Sequence, residues 1–355
     1  MSERRTPWVL YALIAVNAAM FVAEVASGAS AVKPTPQQII DLGGNFALLT
    51  LRGEWWRLGS SMFLHFGILH VALNMLCLWQ ARAVEPAFGR LAFLVIYLLA
   101  GLAGGLAALV ATPGGAIAGA SGSVFGVYGA LGVQLVMRRA EFDPEVWLKT
   151  TRRLATFLGL NLVVGLTTPG ISLAAHIAGF VVGAAAGVVL LAGANAEQQR
   201  IRRSLAIAAL GIALTAGALL MMKPAPAYAV LDHFDALEKT ALRTSNETLR
   251  RLTAGEISEA EYLTVLARDV VAPYRQLSEE LHAAGDPPEG LRPLLDRIDA
   301  VITARLAMWD VRKAAGAAKD PAEHAARIED YNRAVARSNE LVHELTAEYQ
   351  RLSGK

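Results

Sequence analysis

A serine stands between small residues in GASG at 119–122, and a histidine stands between small residues in AHIAG at 175–179. By type, Ser121 and His176 are a nucleophile and a base: a serine hydroxyl attacks a carbonyl only when a neighbouring group takes its proton, and histidine does this most often. His70 and Asn74 in HVALN stand at i, i+4, which on a helix puts both side chains on one face. Their N–H groups are suited to donate to the oxygen of a tetrahedral intermediate. Each of these residues also has a plainer reading, an interhelical hydrogen bond that ties two helices together. The choice depends on whether the elements that carry them bring them to one place.

Those elements lie in a membrane. The 355 residues are 54% hydrophobic and 18% charged, with a mean hydropathy of +0.39, which suits an integral membrane protein and not one soluble domain. The net charge of +2 comes without a basic stripe interleaved with aromatics, so a nucleic-acid partner is not expected. The single cysteine, Cys77, lies in an apolar run. It provides neither a disulfide framework nor a cysteine metal site.

Charges divide the first two thirds of the chain into seven apolar spans of roughly bilayer length, at 7–27, 60–81, 91–111, 121–137, 153–168, 172–192 and 204–222. The fourth is short, and the fifth ends at Pro169-Gly170. The first span could instead be a signal peptide behind Arg4 and Arg5, but its apolar run is long for one. Arg and Lys collect in alternate loops: Arg82 and Arg90, then Arg138, Arg139, Lys149, Arg152 and Arg153, then Arg200, Arg202 and Arg203. The loops near 112–120 and 167–171 carry none. The positive-inside rule then places the N-terminus in the cytoplasm and residues after 222 outside.

With that topology Ser121, His176, His70 and Asn74 all fall in the outer leaflet. An ionisable residue within a span is costly and is a functional hypothesis by default. Gly179, Gly183 and Gly187 recur every four residues after His176, and Gly122 and Gly126 follow Ser121. Such small-residue stripes let two helix backbones approach, although alone they mean only packing. A Ser121–His176 hydrogen bond becomes geometrically reasonable. A zinc site of His65, His70 and His176 competes poorly: there is no HExxH, and Glu54 and Glu85 sit at loops. His65, five residues before His70, is expected on another face, in a structural or interfacial role.

At this point the residues resemble a family. Trp56-Arg57 is similar to the WR motif of rhomboid intramembrane serine proteases, His70 to Asn74 to their HxxxN, Glu85 to Gly89 to their ExxxG, GASG to their GxSG, and AHIAGFVVG at 175–183 to their AHxxGxxxG. The resemblance covers about residues 1–195. It implies an all-α, polytopic membrane bundle with a six-helix core over 1–195 and an added seventh helix over 196–223. It also implies Ser121 as nucleophile, His176 as base, and His70, Asn74 and the Ser121 backbone N–H as oxyanion donors. Phe125 takes the place of an aromatic that packs on the histidine, and Gly122, Gly126, Gly179 and Gly183 are the close-approach positions. No metal or cofactor is expected. Substrates would be transmembrane proteins, cut near the outer face of a bacterial cytoplasmic membrane where their helices unwind.

Two regions fall outside the chemistry. The loop 28–59 holds Trp55, Trp56 and Arg57, residues suited to the headgroup level for anchoring or for perturbing the bilayer. After Lys223-Pro224-Ala225-Pro226 the sequence turns charged and alanine-rich. Residues 224–355 are expected to form a helical extracytoplasmic domain of about four segments, broken near Gly255, Pro273, Pro287-Pro288 and Pro321, with Leu231, Phe234 and Leu237 at helical spacing. Its His233, His282, His324 and His343 are expected to be solvated, and a partner for this domain is open. Two other classes stay in view: a catalytically silent rhomboid-like protein that binds membrane helices, and a transporter. A transporter calls for a midplane site and internal repeats.

Overall fold

The computed structural model describes residues 6–112, 115–167, 171–192, 197–222, 226–285 and 292–353. The expected breaks at Pro169-Gly170 and Pro287-Pro288 lie outside the described residues. The described chain is helical throughout, with one isolated antiparallel bridge between Asn45 and Ile117. It divides into two compact units between Lys223 and Pro224.

The first unit contains seven principal helices: α1 (Trp8–Ala26), α2 (Ile68–Gln80), α3 (Arg90–Ala111), α4 (Ser121–Met137), α5 (Pro144–Thr167), α6 (Leu173–Leu191) and α7 (Glu197–Met221). Among the described residues α1, α3, α6 and α7 are each long and apolar enough to cross a membrane. The expected span 60–81 is not one straight helix. Helical turns over Arg57–Ser60 and Ser61–Phe63 meet α2 at 89°. The chain turns through extended Leu64 and through Gly67 at φ +96°, where a Cβ would run into the Val32 carbonyl. The α4 helix has 17 residues, short for a full crossing. The expected fifth span, 153–168, is the apolar end of a longer helix whose first turns carry Lys149, Arg152 and Arg153.

The interior is built on α3, α4 and α6. Their glycines face one another: a methyl group on Gly179 would strike the Gly122 carbonyl, one on Gly183 the Gly126 carbonyl, and one on Gly187 would press on Ala130. Pairing in ascending order along both helices means that α4 and α6 run parallel in constant register, with backbones in contact. The N-terminal helix is held by a carboxylate. Glu85, buried in the short helix Val84–Phe88, accepts the backbone N–H groups of Val9 at 3.1 Å and Leu10 at 2.7 Å. These are first-turn donors that have no partner inside their own helix. By sequence Glu85 is expected at a loop. It is instead the buried cap of α1.

Arg57 also departs from expectation. Trp55 and Trp56 are exposed, but Arg57 is buried, donating to the carbonyls of Ile40 at 2.6 Å and Gly44 at 3.0 Å and pairing with Glu54 at 2.7 Å. The loop leaves carbonyls that no helix satisfies, and the guanidinium fork supplies several donors at once. Arg57 is therefore an internal brace of the loop and not a headgroup anchor.

The second unit comprises α8 (Pro226–Thr253), α9 (Glu259–Leu266), α10 (Ala272–Ala283), α11 (Arg292–Ala317) and α12 (Pro321–Ser353). A turn at Gly255, φ +71°, separates α8 from α9, which opens on a Ser258–Glu261 capping box. Pro273 does not break the chain. One π turn over Ala267–Val271 carries α9 into α10, and Pro273 sits in the first turn of α10, where its missing N–H is not needed. Phe234 is buried, with Leu231 and Leu237 half-buried beside it. Arg305 pairs with Glu238 at 3.0 Å, and Glu238 also accepts the Tyr274 hydroxyl. Burial beside that carboxylate pushes the Tyr274 hydroxyl pKa upward. His233 and His282 are exposed, and His233 lies 2.7 Å from Glu280.

Candidate active site

Ser121 is the first residue of α4 and His176 lies in the first turn of α6. Because the two helices are parallel and in register, the residues stand at the same end. The His176 Nε2 is 2.9 Å from the Ser121 Oγ. Histidine is placed by its own helix start: Ser172 caps α6 by accepting the Ala175 N–H, and its carbonyl accepts the His176 N–H. Serine is placed by the segment before it. Asn45 and Ile117 exchange both backbone hydrogen bonds, and Gly119 donates to the Ser61 carbonyl at 2.9 Å. The Asn45 side chain completes the brace, donating to the Gly105 carbonyl and accepting the Thr50 hydroxyl.

Gly119 is required as glycine on two counts. Its φ is +129°, and a Cβ there would lie 2.7 Å from the His70 ring. His70 is thus brought against the residue two before Ser121. Its Nδ1 accepts the Phe66 N–H at 3.2 Å, so in the neutral ring the proton sits on Nε2, the nitrogen nearer Gly119. Asn74 is buried, and its Nδ2 donates to the His70 carbonyl at 3.0 Å, one turn back on α2. One of its two amide hydrogens is occupied in this way. The Ser121 N–H lies at a helix start, where backbone donors lack a carbonyl four residues back and the helix dipole favours negative charge.

Phe125 stacks on His176, with ring centroids 4.2 Å apart and planes at 10°. Behind it Phe157 of α5 lies 4.9 Å from Phe125 and stacks at 3.7 Å on Tyr128, whose hydroxyl donates to the Cys77 carbonyl. Phe157 was not singled out in the sequence; it is one more aromatic in an apolar helix, and only its lone burial on α5 distinguishes it. The His176 Nδ1 is buried and has no hydrogen-bond partner among the described residues. Among the described residues no carboxylate orients the ring.

His65 is fully buried, its ring centroid 5.3 Å from that of His70, and its backbone N–H donates to the buried Glu24 carboxylate. That is a packing role on a bend. Among the described residues no three His, Cys, Asp or Glu side chains gather to hold a metal ion, and His65, His70 and His176 do not form a ligand set.

A half-buried serine in contact with a buried histidine stands at the matching ends of two parallel, glycine-faced helices. Residues 52–193 match the Rhomboid domain model. This chain is a helical integral membrane protein that carries a Rhomboid domain over those residues. Over 209 residues it is 34% identical to the rhomboid protease GluP of Bacillus subtilis, covering 58% of this chain and 39% of GluP. It is 31% identical over 160 residues to RHOMBOID-like protein 4 of Arabidopsis thaliana, 44% of this chain and 40% of that one. With the rhomboid protease AarA of Providencia stuartii it shares 27% identity over 235 residues, 59% of this chain and 79% of AarA. The chain thus spans about two fifths of the length of GluP and of RHOMBOID-like protein 4.

Proposed function

We infer that the protein is an intramembrane serine endopeptidase that cleaves transmembrane segments of other proteins. The observation that carries this reading is the 2.9 Å contact between Ser121 Oγ and His176 Nε2, in a domain similar to that of proteins named rhomboid proteases. In the productive tautomer His176 holds its proton on Nδ1 and accepts the serine hydroxyl at Nε2. As Oγ bonds to the peptide carbon, the proton passes to Nε2, and from there to the leaving amine. Water, deprotonated by the same nitrogen, then releases the acyl group. The Ser121 N–H, His70 Nε2–H and the free amide hydrogen of Asn74 are the donors for the oxyanion, each worth on the order of 10²–10³ in kcat when well aimed.

Water must reach this depth, so the polar residues border a cavity open to one aqueous side. The charge pattern supports the outer side, with the N-terminus in a bacterial cytoplasm and residues 224–355 outside. Substrate helices have their carbonyls tied up internally and are cut only where they unwind. A silent helix-binding protein is the second reading, favoured by the match to a protein named only rhomboid-like. The two part in an assay of the full-length protein in liposomes with a single-span reporter. Cleavage that is lost in Ser121→Ala and indifferent to chelators supports the protease; binding of the reporter without cleavage supports the second reading.

A further inference from the structure

The α2 and α5 helices stand apart at one end, and between them lies a cleft of about 700 Å³. That volume is within the range of small-ligand sites, about 300–1,000 Å³. From α5 come Lys149, Arg152, Arg153, Phe157 and Leu160; from α2 come Cys77 and Gln80. The spacing 149, 152, 153 puts three cations on one helical face. Among the described residues none of the three pairs with a carboxylate, although Glu145 also borders the cleft. Further along α5 the character changes. Leu160, Leu162, Val163 and Leu166 are all exposed, between 49% and 69%. Cationic turns followed on one helix by apolar exposed turns reproduce the order of a phospholipid, phosphate first and acyl chain after.

We propose that this cleft is a binding site for one anionic phospholipid, with its phosphate on Lys149, Arg152 and Arg153 and an acyl chain laid along Phe157 and Leu160. Arginine forks match phosphate oxygens in pairs, and the low dielectric beside the apolar wall strengthens the contact. A soluble phosphate compound would leave the apolar half uncovered, whereas a phospholipid covers both. The site is separate from Ser121 and does not depend on the activity inferred above.

Purified full-length protein is reconstituted with equal phosphatidylglycerol and phosphatidylcholine, washed stepwise in detergent, and its retained lipid identified by native mass spectrometry. The expected result is selective retention of phosphatidylglycerol. Each basic residue near anionic lipid contributes about fivefold, so Lys149→Gln/Arg152→Gln/Arg153→Gln is expected to lower retention at least tenfold. Arg200→Gln/Arg202→Gln, which removes two cations elsewhere, is expected to leave it unchanged. Equal retention of the two lipids, an equal loss in the control variant, or displacement by millimolar glycerol phosphate would overturn the proposal. A triple variant that keeps its lipid would do the same, and circular dichroism with thermal melting checks that it is folded.

Discussion

The Phe125 ring lies flat against the His176 imidazole, 4.2 Å away and 10° from parallel. With Nδ1 unpartnered among the described residues, this face contact acts with the Ser121 hydrogen bond at Nε2 to fix the rotation of the ring. It also sets the negative face of an aromatic against the imidazolium that forms when serine gives up its proton, an attraction of about 0.5–2 kcal/mol.

Phe125→Leu keeps apolar volume and removes the flat surface. We expect kcat to fall about tenfold to a hundredfold, because small misplacements of a base are costly, with KM for a reporter span little changed. Phe125→Tyr should retain most activity. A leucine variant with wild-type kcat would mean that helix packing alone holds the histidine.

Phe157 is the one buried residue of α5 and backs Phe125 from the far side. Phe157→Ala opens a cavity worth about 3–5 kcal/mol of stability in a packed interior. It should also lower kcat by loosening Phe125, and Phe157→Tyr or Trp should restore both. Thermal unfolding alongside kcat tests this: loss of stability with kcat intact would confine Phe157 to packing.

Gly179 meets the Gly122 carbonyl, so a single methyl group there has a backbone atom in its way. Gly179→Ala is expected to cost about 1–3 kcal/mol and to widen the Ser121–His176 distance, cutting turnover more than tenfold. Gly217, with open space around the position of a Cβ, is the control. Gly217→Ala should be neutral. A harmless Gly179→Ala in cleavage and thermal-melt assays would contradict the close-approach account.

Much of this arrangement is legible in the sequence, and the reason is physical. Glycines repeating every fourth residue on two spans imply touching backbones, and the polar residues at the ends of those stripes are carried together by them. Hydropathy finds where the chain is apolar but is blind to direction. The bend before α2 turns on Gly67, whose φ no average records. Arg57 looks like an interfacial residue by composition, yet the loop's unsatisfied carbonyls draw it inward. The continuity through Pro273 depends on a π turn that absorbs the missing donor. Phe157 acquires its place only through the tertiary stack. Each of these is decided by a partner distant in sequence or by a single backbone angle.

The second unit, Pro224–Leu352, has its own buried core, and neither motif nor chemistry supplies its task. Were it to lie outside the membrane and bind substrate ectodomains, it would raise their local concentration. Truncation after Met222 is then expected to preserve cleavage of a minimal transmembrane peptide while changing which full-length substrates are cut. Equal loss on both would assign the unit to stability.

The most direct measurement is labelling of the full-length protein in liposomes with a fluorescent fluorophosphonate, which bonds only to an activated serine. The account predicts labelling of wild type, none of Ser121→Ala, and at least a hundredfold slower labelling of His176→Ala, since the two act as one chemical unit. Labelling that persists in Ser121→Ala, or that proceeds at wild-type rate in His176→Ala, would contradict it.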